Sequence, residues 1–151
     1  MYKIEQATEE DLIMYVTLAR HMHDESVYAQ FLDFNDAKVE GAAQNMIFSP
    51  NYHVIKACDD EMQVGFFAGG ISAYYVSYDK YAFDVATYVA PQYRGKGIAK
   101  ALITDFVGWA KKHGARELCL STSTGVNDEH FAALTKTFNM KQQATTYKVR
   151  L

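Results

Sequence analysis

Cysteine is scarce in this chain: Cys58 and Cys119 are the only two among 151 residues. Two thiols are too few for the disulfide framework of a small secreted domain. Both lie in apolar strand-like runs, so they read as small buried hydrophobes in a reducing compartment. No apolar run approaches the roughly 20 residues needed to cross a bilayer. The start, Met1-Tyr2-Lys3-Ile4-Glu5-Gln6, lacks the cationic segment and apolar core of an export signal. A cytoplasmic protein that enters no membrane is the expectation. Repeats, low-complexity tracts and linkers are also missing. With 49% apolar and 22% charged residues, the length allows one well-buried core, so residues 1–151 are expected to form a single domain.

Charge is unevenly placed. The net −3 divides into four Lys/Arg against twelve Asp/Glu over residues 1–62 (−8) and eleven against six over residues 63–151 (+5). Two solvated faces would account for this, and so would a basic side for phosphates facing an acidic side for a cationic amine. An acidic chain without a long basic stripe argues against tight nucleic-acid binding.

Alternation predicts a strand over Tyr2–Gln6. Thr8 followed by Glu9, Glu10 and Asp11 then starts a helix expected to reach about Arg20. His21–Phe34 has no clean period and reads as loop. Asn35-Asp36 caps a second helix over Ala37–Ile47, and Ser49-Pro50-Asn51 ends it. Strands follow at Tyr52–Cys58, at Met62–Tyr75 and at Tyr81–Val89, the second interrupted by Gly65, Gly69 and Gly70, where bulges or close backbone approach are expected. A helix after Gly97 carries Ile98, Leu102, Phe106 and Trp109 on one stripe and ends at Gly114. A buried strand over Glu117–Thr122, a helix over Asn127–Thr137 and a closing strand over Lys141–Leu151 complete the order β-α-α-β-β-β-α-β-α-β, a mixed α+β domain.

The chemistry concentrates where a strand meets a helix. Val89-Ala90-Pro91-Gln92-Tyr93-Arg94-Gly95-Lys96-Gly97-Ile98-Ala99 sets two glycines among cations at a helix start. The first N–H groups of a helix have no partner within it and carry partial positive charge, so such a turn can seat a phosphate. Lys100 stands where a dinucleotide fingerprint needs its third glycine, and no Gly-Lys-Ser/Thr phosphate loop occurs. Rossmann and nucleoside-triphosphatase readings lose support.

Gln92-x-x-Gly95-x-Gly97, within Tyr88–Leu102, resembles the acetyl-coenzyme A signature of the GNAT superfamily of N-acetyltransferases. The resemblance implies a GNAT-like, mostly antiparallel sheet flanked by helices. It also implies an acetyl-coenzyme A co-substrate, with the amides of Arg94, Gly95, Lys96, Gly97, Ile98 and Ala99 at its pyrophosphate and Gln92 among its cofactor-binding residues. Val89 and Ala90 would meet the pantetheine arm, as would Asn127, which is equally a good N-cap. Pro91 ends the preceding strand and, on this reading, splays the next one away to open a slot. Met22-His23-Asp24-Glu25-Ser26 with Phe31 and Phe34 resembles, more loosely, members encoded by bacteriophages.

Carried further, the resemblance implies direct acetyl transfer to a primary amine of a small molecule or a protein. Asp84, on the central strand among apolar neighbours, is the candidate base. Thr135 fills the position where the family places a tyrosine acid, and its hydroxyl is too weak an acid for that role. Tyr147 heads the substitutes, with Tyr88, His130 and bulk water as alternatives. Glu25 and Tyr28 are the candidate acceptor-binding residues. His21 and His23 lack the spacing and the partners of a metal site, so no metal is expected. Two other readings stand beside this one: a module that binds acyl-coenzyme A without turnover, and a toxin that acetylates aminoacyl-tRNA. Edge strands make a homodimer reasonable.

Overall fold

Met62–Ala73 (β3) is buried over most of its length because it runs through the middle of a five-stranded sheet covered on both faces. A strand buried on both sides has no reason to alternate with polar residues. Its side chains still leave by opposite faces. Phe66 and Ala68 join Tyr15, Leu18 and Met46 in one core, while Phe67 and Ile71 join Leu102, Ile103 and Phe106 in the other. All residues, Met1–Leu151, are described by a computed structural model.

Tyr2–Gln6 (β1), Tyr52–Asp59 (β2), β3, Lys80–Val89 (β4) and Ala115–Cys119 (β5) lie side by side in chain order. The first four are antiparallel, and β4 with β5 is parallel. Leu12–Glu25 (α1) and Asp36–Phe48 (α2) supply the core on one face. Ile98–Lys112 (α3) covers the other, where Leu134 of Asp128–Lys136 (α4) also packs. This is the mixed, mostly antiparallel α+β sheet the sequence implied. Asn35 accepts the Lys38 N–H at 2.9 Å and starts α2 as expected.

Close approach at β3 depends on glycine. A Cβ on Gly69 would lie 2.6 Å from the Phe83 carbonyl oxygen and 2.7 Å from the Phe106 ring. The expected irregularity follows, with the β3–β4 register shifting between Ala68 and Gly69.

Four expectations need correction. The first helix does not stop at Arg20 but runs to Glu25, where the Ser26 hydroxyl donates to the His23 carbonyl at 2.7 Å and a short 3-10 turn, Val27–Gln30, follows. The strand placed at Glu117–Thr122 is β5, an edge strand rather than a buried one, so Cys119 is exposed while Cys58 is buried. Pro91 does not open the sheet, because β4 and β5 part well before it. Finally, residues 141–151 form no strand and are exposed. Lys148 and Arg150 are instead drawn to aromatic rings near the end of α1.

Candidate active site where two parallel strands part

β4 and β5 pair through Lys80–Ala115, Ala82–Leu118 and Phe83–Cys119, and no further. Beyond Phe83 the Ser121 N–H turns to the Asp84 carboxylate at 3.1 Å, with the Ser121 hydroxyl at 3.4 Å, in place of a backbone carbonyl. From there to Val89, β4 has a free side. A cavity of about 800 Å³ opens along it, bounded by the end of α1, the turn after β4, the Ser121–Thr124 segment and the start of α4.

Alternation decides which backbone groups look into this cavity. The Ala90 N–H donates to the Val64 carbonyl at 2.9 Å, and its own carbonyl accepts the Tyr93 N–H at 2.9 Å. Ala90 is therefore engaged by β3 and by the turn. Its neighbour Val89 faces the opposite way, so its N–H points into the space β5 has left. The Val89 carbonyl is held by Arg94 Nε at 2.8 Å.

The turn after β4 presents a file of donors. Gly95 and Gly97 take left-handed φ angles of 76° and 82°, and the first N–H to return to the chain is that of Ala101, to Gly97 at 3.0 Å. The N–H groups of Gly95–Lys100 meet no acceptor within the protein. A Cβ at either glycine would have nothing within 4 Å, so the file is open. Six donors with the positive end of α3 behind them fit a diphosphate. Ile98 anchors the turn by burying its side chain. Lys100 lines the cavity, but Gln92 and Lys96 do not. Gln92 is exposed, and Lys96 Nζ lies 5.1 Å from the Tyr93 ring centroid.

Arg94 does more than add charge to that turn. Its Nη2 donates to Glu25 Oε2 at 2.7 Å, while the Tyr88 hydroxyl donates to Glu25 Oε1. Both oxygens of Glu25, the expected acceptor ligand, are thus taken up in joining α1 to β4. Burial, reinforced by the Glu25 carboxylate, pushes the Tyr88 phenol up from its ordinary value, so Tyr88 stays protonated as a donor. Sequence gave no hint of this network, whose members stand 63 and 69 positions apart.

The remaining candidates divide sharply. Asp84 lines the cavity, and burial raises its carboxyl above the ordinary value although the Ser121 hydrogen bonds oppose the shift. Asn127 also lines it, at φ 54°, with its side-chain oxygen accepting the His130 N–H at 3.4 Å. It caps α4 as expected and keeps its amide NH₂ for a ligand. Tyr28 and His130 lie on the cavity wall. Tyr147 does not: it is 92% exposed in the C-terminal segment, because no strand carries it inward. Thr135 donates to the Ala132 carbonyl at 2.9 Å and stays outside the cavity. His23 reaches the Leu32 carbonyl at 2.9 Å and packs its ring at a tilt against Phe34, so it holds the loop after α1 in place.

Comparison with known proteins agrees with this geometry. Residues 9–136 match the acetyltransferase (GNAT) family. Among solved structures, the aminoglycoside acetyltransferase AAC(6')-Iy in complex with a coenzyme A bisubstrate analogue superposes with a TM-score of 0.77 at 19% identity, covering 100% of this chain and 99% of that one. An aminoglycoside acetyltransferase from an uncultured soil metagenomic sample, in complex with sisomicin, gives 0.74 at 20% identity over 99% and 96%. The ribosomal-protein-alanine N-acetyltransferase of Brucella melitensis biovar Abortus 2308 gives 0.74 at 19% over the full length of both. At such identities the likeness is one of fold. No curated protein sequence matches the chain.

Proposed function

The chain belongs to the GNAT acetyltransferase family, and we propose that it transfers acetyl from acetyl-coenzyme A to a primary amine by direct attack within a ternary complex. The observation that carries this reading is the cleft itself, with its free Val89 N–H on the unpaired stretch of β4 and the open donor file of Gly95–Lys100 at its end.

Acetyl-coenzyme A, when bound, supplies an activated thioester. The donors of Gly95–Lys100 hold its diphosphate, the Asn127 amide meets the pantetheine arm, and the Val89 N–H stabilises the oxygen on which charge develops. An ammonium has no lone pair, so Asp84 takes the acceptor's proton through water in the cleft before the nitrogen attacks. Its raised pKa suits it to that work. The C–N bond forms and the C–S bond breaks, and the second proton of the attacking nitrogen passes through water in the open cavity to the departing sulfur. Tyr88 is committed to Glu25 and Tyr147 lies outside, so neither is needed as the acid.

The test is thiol release from acetyl-coenzyme A across a panel of small amines and amine-bearing peptides. Acceleration by at least one member supports the reading. Binding of the thioester by calorimetry with no amine-dependent release would instead make the chain a carrier-binding module.

A further inference from the structure

Rings near the end of α1 each carry a cation from elsewhere in the chain. Arg20 lies 4.7 Å from the Phe34 centroid, Lys148 lies 5.2 Å from that of Tyr28, and Arg150 lies 3.9 Å from that of Phe31. The first contact belongs to the fold, since Arg20 also bridges α1 to Asp36 of α2 at 2.6 Å. The other two do not. They come from residues 141–151, which have no backbone hydrogen bond to the rest of the protein and whose one side-chain hydrogen bond runs from Lys148 Nζ to the Tyr28 hydroxyl at 2.6 Å.

A segment held by two exposed cation–ring contacts and one exposed hydrogen bond is held weakly, because each cation–ring contact contributes only about 0.5–1 kcal/mol and a typical hydrogen bond nets about 1. The rings it sits on are well placed for another occupant. Tyr28 lines the cavity, and Phe31 lies beside it with the ring centroids 5.7 Å apart. The Val27 N–H donates to the Thr124 carbonyl at 2.9 Å, which fixes this 3-10 turn against the far wall of the same cavity. The Lys148 ammonium, donating to the phenol, draws the Tyr28 hydroxyl below its ordinary pKa, and a displacing ammonium would do the same.

We propose that Tyr28 and Phe31 form a two-ring cation site for the acceptor, which is accordingly a polyamine bearing further ammonium groups beside the one acetylated, and that Lys148 and Arg150 are its built-in competitors. The two ring centroids lie 5.7 Å apart, and each already carries a cation from the C-terminal segment. The acceptor must displace the C-terminal segment to bind, so the segment sets a threshold on acceptor affinity. This inference rests on the acetyltransferase reading of the cleft.

The experiment is calorimetric titration with spermidine of the full chain loaded with coenzyme A, for the natural sequence and for the double variant Lys148→Met with Arg150→Met. Both positions are exposed, so the fold is not at stake. Removal of the competitors is expected to tighten spermidine binding by about 5- to 30-fold. Adding Tyr28→Leu and Phe31→Leu should weaken binding and erase the difference. Equal or weaker binding by the double variant, or no spermidine binding by either protein, overturns the proposal. Failure of the acetyltransferase reading would appear separately, as absent coenzyme A heat or absent thiol release.

Discussion

Arg94 reaches back to Glu25 at 2.7 Å and so ties the last residue of α1 to the glycine turn after β4. The same guanidinium holds the Val89 carbonyl, and Glu25 also accepts from Tyr88. One partly buried carboxylate therefore helps set the position of the free Val89 N–H. Arg94→Met and Glu25→Gln should each weaken coenzyme A binding, and the double variant should lose less than their sum, with a coupling of about 1 kcal/mol for a pair that is one-third exposed. A calorimetric double-mutant cycle reads this directly; strict additivity would place the two residues in separate roles.

Asp84 is expected to set activity and stability against each other. Its folded pKa is raised by burial, so the ionised form is disfavoured in the fold. The stability it contributes is full below the ordinary value of 3.8 and is lost as pH rises through the folded value. At neutral pH, Asp84→Asn should therefore melt at a higher temperature, with the Ser121 N–H still accepted. The same variant should lose about a hundredfold or more in kcat, together with the acidic limb of the kcat/KM profile. Thermal melts and a pH–rate profile on one pair of proteins decide the matter.

Gly97 is the complementary probe of the donor file. Any side chain there meets a φ of 82°, at a cost of about 1–2 kcal/mol, and enters the space over the free N–H groups. Gly97→Leu should fold, as judged by circular dichroism, while its coenzyme A affinity falls by about tenfold or more, given the several hydrogen bonds at stake. Retained affinity would move the diphosphate away from this turn.

Acid sensitivity should arise on the opposite side of the sheet from α3. Burial pushes the Asp11 carboxyl up, but Lys56 Nζ at 2.6 Å and the Thr8 N–H at 2.8 Å outweigh it and leave the pKa below 3.8. Stability from a lowered carboxyl is present above its unfolded value and is lost as pH falls through the folded one. The Asp11→Asn variant should be destabilised by about 2 kcal/mol at neutral pH, and the gap should begin to narrow only as pH falls below the unfolded carboxyl value of about 3.9. Urea unfolding at several pH values gives the comparison.

The glycine turn was legible in the sequence because its requirements are local. Gly95 and Gly97 must adopt left-handed angles, and Ile98 must be buried for the helix to start there. Asn35 and Asn127 likewise cap helices through atoms three residues away. The end of α1 was not legible, because His21–Glu25 shows no clean period. It stays helical through the Ser26 cap and the His23 contacts to Leu32 and Phe34. Nor was the fate of the closing strand legible, although its alternation is good, since pairing depends on an available edge rather than on the segment alone.

By itself the chain determined the cores of its helices, its first five strands and the glycine turn, since each follows from side-chain period, capping and backbone freedom over a few residues. Only the tertiary structure decided that β4 parts from β5 at Asp84, that Glu25 is spent on Arg94 and Tyr88, and that Lys148 lies on Tyr28. Those outcomes join groups 37 to 120 positions apart. They depend on which surfaces the packed sheet leaves uncovered, and no local rule of spacing carries that information.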